Sequence, residues 1–189
     1  MPRAADKQER RDQVVEAAFQ VIARDGLAGM SMRAVAQEAG CTIGLINHWF
    51  SSRNDLVKAT FDRAIEMELE RGAVLTRDPP DYVEAASEFL PLDDERRDEV
   101  KIWVAFWAMV VCDEAYEGRG ADRYVAVRET MVEMLGQKRP IPACHDIVDR
   151  CFALVDGIAI NALMDPARWT PARQLSVLRE GLEDALARY

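Results

Sequence analysis

Between Ser31 and Arg53 the chain gathers hydroxyl, cationic and carboxamide side chains. Ser31, Thr42 and Ser52 bring hydroxyls, and Arg33, His48 and Arg53 bring N–H groups that carry or can take a positive charge. Hydroxyls and cations of this kind bind phosphate oxygens. Asn47 brings a carboxamide that can pair with an adenine edge, and Ile43 an apolar tip for a thymine methyl. Gly44 has no side chain, so backbone can approach a partner closely there. Arg33 can reach a guanine or a phosphate, while His48 and Arg53 suit phosphates. Upstream, Arg3, Lys7, Arg10 and Arg11 either extend this grip into a neighbouring groove or form a solvated helix start.

A second set lies further on. Trp103, Phe106 and Trp107 follow at helical spacing, and Asp156 is the one acid within the apolar run Cys151–Met164. Two explanations compete. The rings are core and Asp156 bonds a backbone N–H, an arginine or a dimer partner; or the rings wall a pocket and Asp156 neutralises a cation. Aromatic faces with a carboxylate suit a quaternary ammonium group. The remaining chemistry is sparse. Only His48 and His145 occur, and no HExxH, ExxH pair, P-loop or nucleophile elbow is present, which argues against an enzyme. Cys41, Cys112, Cys144 and Cys151 lack CxxC spacing and read as buried thiols in a reducing compartment. No cofactor or metal is expected.

These residues need scaffolding. Val14, Ala18, Val21 and Ile22 line one face of a first helix from about Arg10, with Gly26 as its C-cap. Ser31 caps a second helix, Met32 to Ala39, and Gly40 breaks it. Thr42 starts a third that ends near Phe50, and Ser51 or Ser52 a fourth that runs past Leu69. Two crossed helices with so short a turn need a small residue at the contact, a left-handed turn residue and an apolar inner side. Ala36, Gly40, and the set Val35, Ala39, Cys41, Ile46 and Trp49 meet those needs. Helices are also expected at Tyr82–Leu90, Asp94–Glu117, Asp122–Leu135, from Pro140 and Pro142 to Met164, and from Thr170-Pro171 to the end. Ile102–Cys112 is apolar all round and reads as a helix buried on every side. The expected fold is all-α, with about nine helices. A three-helix helix-turn-helix DNA-binding domain (residues 1–55) precedes a helical ligand-binding and dimerisation domain (residues 56–189).

The stretch Met32-Arg33-Ala34-Val35-Ala36, with Ala39-Gly40-Cys41-Thr42, Gly44, His48-Trp49-Phe50, Arg53 and Leu56, resembles the TetR family of regulators over about Arg10 to Phe61. Two positions depart from its pattern: the family often has tyrosine where Asn47 stands and a basic residue where Ile43 stands. The segments Lys101–Trp107 (KIWVAFW) and Leu154–Leu163 (LVDGIAINAL) are similar to the C-terminal domain of BetI-type regulators. The resemblance implies a repressor whose third helix enters the major groove of a double-stranded DNA operator. It implies a homodimer formed through the last two helices, a pseudo-palindromic operator, and a small-molecule effector such as choline or another cation.

Charge fits this division. Residues 1–60 hold eight lysines and arginines against seven acids, and the remainder sixteen against twenty-six, together the −9 of the whole chain. The acidic excess thus lies away from the candidate contacts. The polar N-terminus and the short apolar runs predict a cytoplasmic protein with no membrane span. An all-helical adaptor or enzyme without DNA binding is the alternative.

Overall fold

A computed structural model of the chain describes residues 4–72, 81–112, 121–136 and 140–188. Among the described residues the secondary structure is helical throughout, in nine helices. They form two compact units. The first runs to Met67 and takes in Lys101–Phe106; the second comprises Glu68–Val100 and the chain from Trp107 onward.

In the first unit, α1 (Ala4–Gly29) buries Val14, Val15, Ala18, Phe19, Val21 and Ile22. Gly26 takes a left-handed φ of 70°, so the helix kinks there and helical bonding resumes to Gly29. The expected stop at Gly26 is therefore a break in direction. The oxygen of Ser31 accepts the Ala34 N–H at 3.1 Å and starts α2 (Met32–Glu38). Beyond α2, the Cys41 N–H reaches the Ala36 carbonyl at 2.9 Å and the Gly40 N–H the Gln37 carbonyl at 3.3 Å. That pair of bonds needs a left-handed residue between them, and Gly40 supplies it at φ 61°. Thr42 then accepts the Leu45 N–H at 3.2 Å and opens α3 (Ile43–Trp49). Ile46 and Phe50 are buried and anchor this segment, and Val35 and Ala36 are buried on α2.

Ser52 accepts the Asp55 N–H at 3.1 Å at the start of α4 (Arg53–Gly72). This helix buries Leu56, Val57, Thr60, Phe61, Ala64 and Ile65. That buried face lies within the first unit, which runs past residue 55, the boundary read from sequence. The Phe61 ring lies 4.7 Å from that of Phe106, which in turn meets Trp103 edge-on at 5.7 Å.

The second unit contains α5 (Tyr82–Ser87), capped by Asp81, both ends of α6 (Asp94–Cys112), α7 (Ala121–Gly136), α8 (Ile141–Met164) and α9 (Pro171–Ala187). Thr170 caps α9 by accepting the Arg173 N–H at 3.4 Å, with Pro171 at the first helical position. One core joins Ala86, Leu90, Val155, Ile158, Leu178 and Leu182; a second joins Val132, Leu135, Cys144, Ile147 and Val148. Arg97 donates to the Ala162 carbonyl at 3.4 Å near the end of α8, where helix carbonyls lack intrahelical partners.

Two expectations need correction. Ile102 is fully buried, but Ala108 and Cys112 are exposed and Val111 is 83% exposed, so Ile102–Cys112 is not covered on every side. An all-round apolar run shows that burial is affordable, not that neighbours surround each turn. Cys112 likewise departs from the buried thiols expected, whereas Cys144 is buried and Cys41 and Cys151 are half-buried; all four are free. The part of the sixth helix expected over residues 113–117 lies outside the described residues, as do Arg3, Gly118 and Gly120.

Candidate nucleic-acid interface

The α3 helix has two sides of different chemistry. Ile46 is buried and Leu45 and Trp49 half-buried, which fixes the inner side. Ile43, Gly44, Asn47 and His48 are exposed, and their spacing puts them on one outer face. Ile43 is 42% exposed, a large apolar side chain presented outward at the first turn of α3. A Cβ added at Gly44 would meet only the Thr42 hydroxyl, at 3.9 Å, so the fold itself does not require glycine there.

Ser31, Thr42 and Ser52 are exposed, and each hydroxyl oxygen accepts a backbone N–H. A hydroxyl that caps in this way uses an oxygen lone pair and keeps its own proton to donate. Three caps at the starts of α2, α3 and α4 can therefore also donate to phosphate oxygens. Arg33 is exposed in the first turn of α2. His48, in the last turn of α3, has its ring 5.9 Å from that of Trp49.

Several nearby charges are engaged within the chain. Arg24 pairs with Glu38 at 2.8 Å and with Asp25, and these hydrogen bonds to carboxylates hold its guanidinium pKa above the ordinary value. Arg11 lies over the Phe50 ring at 5.1 Å. Ser51 hydrogen-bonds the Asp55 carboxylate and keeps its pKa below the ordinary value. Asp55 lies in the first turn of α4, where the helix dipole also favours an anion. Arg53 is half-buried and donates to the Met30 carbonyl at 2.8 Å and to the Leu27 carbonyl.

The second set of sequence candidates falls in both units. Trp103 and Phe106 belong to the first, where Phe61 joins them; Trp107 and Asp156, both half-buried, belong to the second. Burial, and then the charge of Asp156, pushes the Cys151 thiol up to about 11. Sequence reasoning passed over Phe61, whose only signal was its place four residues after Val57 on an apolar stripe. It also passed over Glu99, an acid only 2% exposed.

A helix-turn-helix with an exposed outer face on its second helix, followed by a separate helical unit, defines a DNA-binding transcriptional regulator. The chain belongs to the tetR family of bacterial regulatory proteins, whose model matches residues 14–60, and residues 82–187 match the C-terminal domain of BetI-type transcriptional repressors. It is 31% identical over 195 residues to the HTH-type transcriptional regulator PksA of Bacillus subtilis, covering 97% of this chain and 93% of that one. A transcriptional regulator from a Rhodococcus species superposes with a TM-score of 0.84 at 25% identity, covering 94% of this chain and 96% of the other. A regulator from Saccharomonospora viridis, solved in complex with choline, has the same fold, with a TM-score of 0.78 at 22% identity and coverage of 93% and 96%. No helix among the described residues is long and apolar enough to cross a membrane.

Proposed function

We propose that this regulator is a repressor that binds a pseudo-palindromic operator as a homodimer and changes its DNA affinity when a small cationic effector binds. The observation that carries the DNA reading is the exposed α3 face of Ile43, Gly44, Asn47 and His48, flanked by three capping hydroxyls and Arg33. In this reading Asn47 and Ile43 face base edges, and Ser31, Thr42, Ser52, Arg33 and His48 hold phosphates. Two such helices, one per protomer, enter successive major grooves.

The dimer reading draws on the outer side of α8. Met164 is 81% exposed, and Gly157 is exposed with nothing beyond its chain neighbours and its own helix backbone within 4 Å of where a Cβ would sit. A glycine inside a 24-residue helix costs about 1 kcal/mol relative to alanine, and the chain's own packing does not call for it. Close approach of a partner helix does.

Choline or a related amine is the effector class favoured by Trp103, Phe106, Trp107 and Asp156 as residue types, by the BetI-type C-terminal match and by the choline-bound relative. Its effect on DNA binding can be no larger than its differential affinity for the two conformations. A gel-shift titration against DNA upstream of the chain's own gene tests the function. The expected result is a salt-sensitive shift at one site; no shift on any upstream fragment would favour a helical adaptor instead. Calorimetry with choline and betaine aldehyde then tests the effector, and absence of heat with both would remove this ligand class.

A further inference from the structure

Arg53 stands where its charge and position suggest a phosphate contact, yet its guanidinium is turned inward. It donates to the Met30 carbonyl at 2.8 Å and to the Leu27 carbonyl, residues 23 and 26 positions earlier in the chain. Both carbonyls lie past the Gly26 kink, in the last residues of α1 and the turn into α2. Carbonyls at a helix end lack intrahelical partners and carry partial negative charge, so a cation there is doubly favoured. Only arginine offers a rigid planar fork able to hold two such oxygens at once; a lysine ammonium is a point donor on a flexible stem.

We propose that Arg53 is a positioning residue that fixes the start of α4 against the α1–α2 turn, and so sets how the reading helix is held, without itself binding phosphate. The α2–α3 corner hangs on α1, and only three residues separate the end of α3 from the start of α4. One side chain thereby ties the entry of α4 to the element that carries the corner. Operator binding then depends on Arg53 through geometry. The proposal rests on the DNA-binding function, and its test separates the two.

Arg53→Lys and Arg53→Gln are compared with the unaltered protein for operator affinity across salt concentrations and across operators whose half-sites are moved apart by one or two base pairs. Both variants are expected to bind at least about tenfold more weakly. Both should keep the unaltered slope of affinity against salt and lose part of the discrimination between half-site spacings. A phosphate contact gives a different pattern: Lys restores binding, Gln lowers the slope by about one, and spacing preference is unmoved. That pattern, or normal binding by both variants, overturns the proposal. Amide exchange in the DNA-free proteins supplies an independent measure, and the Lys variant serves if Gln does not fold. Faster exchange at Leu27–Ser31 and in the first turn of α4, in a protein of unchanged helix content, supports the proposal. Unchanged exchange there overturns it, whether or not the chosen DNA is bound.

Discussion

Cys112 and Cys151 place the same thiol in different surroundings. Cys112 is exposed at the end of α6, whereas burial, followed by the charge of Asp156, raises the Cys151 pKa from 9.0 to about 11. The thiolate is the nucleophile, so alkylation of the native protein at neutral pH should modify Cys112 and spare Cys151. Mass spectrometry of the labelled protein reads this directly. The shift also couples to stability. A folded-state pKa above the unfolded one means the contribution is complete below pH 9.0 and is lost as pH rises through about 11. Urea midpoints should therefore fall between those values, and Cys151→Ala should lessen that fall. Residue roles set by near neighbours were legible in the sequence. Ser31 and Thr42 each bond an N–H three residues on, and Gly40 sits within its own turn. The inward turn of Arg53 was not legible, because its two carbonyl partners are distant in the chain and its composition fits phosphate equally well.

Helix starts were read to within a residue or two wherever a capping side chain marks them, as at α2, α3, α4 and α9. The surroundings of α6 were not. Periodicity reports which faces are apolar, and the Ile102–Cys112 part of α6 is apolar on all of them, so nothing in its order of residues told which turns are covered. Within the helix-turn-helix, two glycines four residues apart have opposite reasons to be there. Gly40 at φ 61° lets the turn form, and a side chain there is strained. Gly40→Ala should lower stability by about 1–2 kcal/mol, with weaker DNA binding following from the misplaced α3. Gly44 has a helical setting, and an added Cβ there would meet only the Thr42 hydroxyl, at an ordinary contact distance of 3.9 Å. Gly44→Ala should leave stability equal or raise it by up to about 1 kcal/mol, while operator affinity falls because a methyl stands in the contact. Thermal melts paired with anisotropy titrations check both. A parallel loss of stability and binding in the two variants would contradict this assignment.

For the molecule as a whole, the fold class, the number of helices and the family were legible from motif and spacing. The assignment of Lys101–Phe106 to the first unit was hidden, since it depends on contacts such as Phe61 with Phe106 that join distant parts of the chain. Pairing between protomers can be tested on the outer face of α8. Gly157→Leu starts from an exposed position where an added Cβ meets nothing within 4 Å beyond its chain neighbours and its own helix backbone, and it fills the space a partner helix would take on the proposed pairing. It should sediment as a smaller species and bind the operator at least about tenfold more weakly, with helix content retained. A variant that sediments like the unaltered protein would place the interface elsewhere. The freedom around Gly157 matters most in a cell that carries several regulators of this architecture. Residues there can diverge after gene duplication at little cost to either copy's folding. On the proposed pairing through α8, sister proteins can then stop forming mixed pairs, and each keeps its own set of genes insulated from the other.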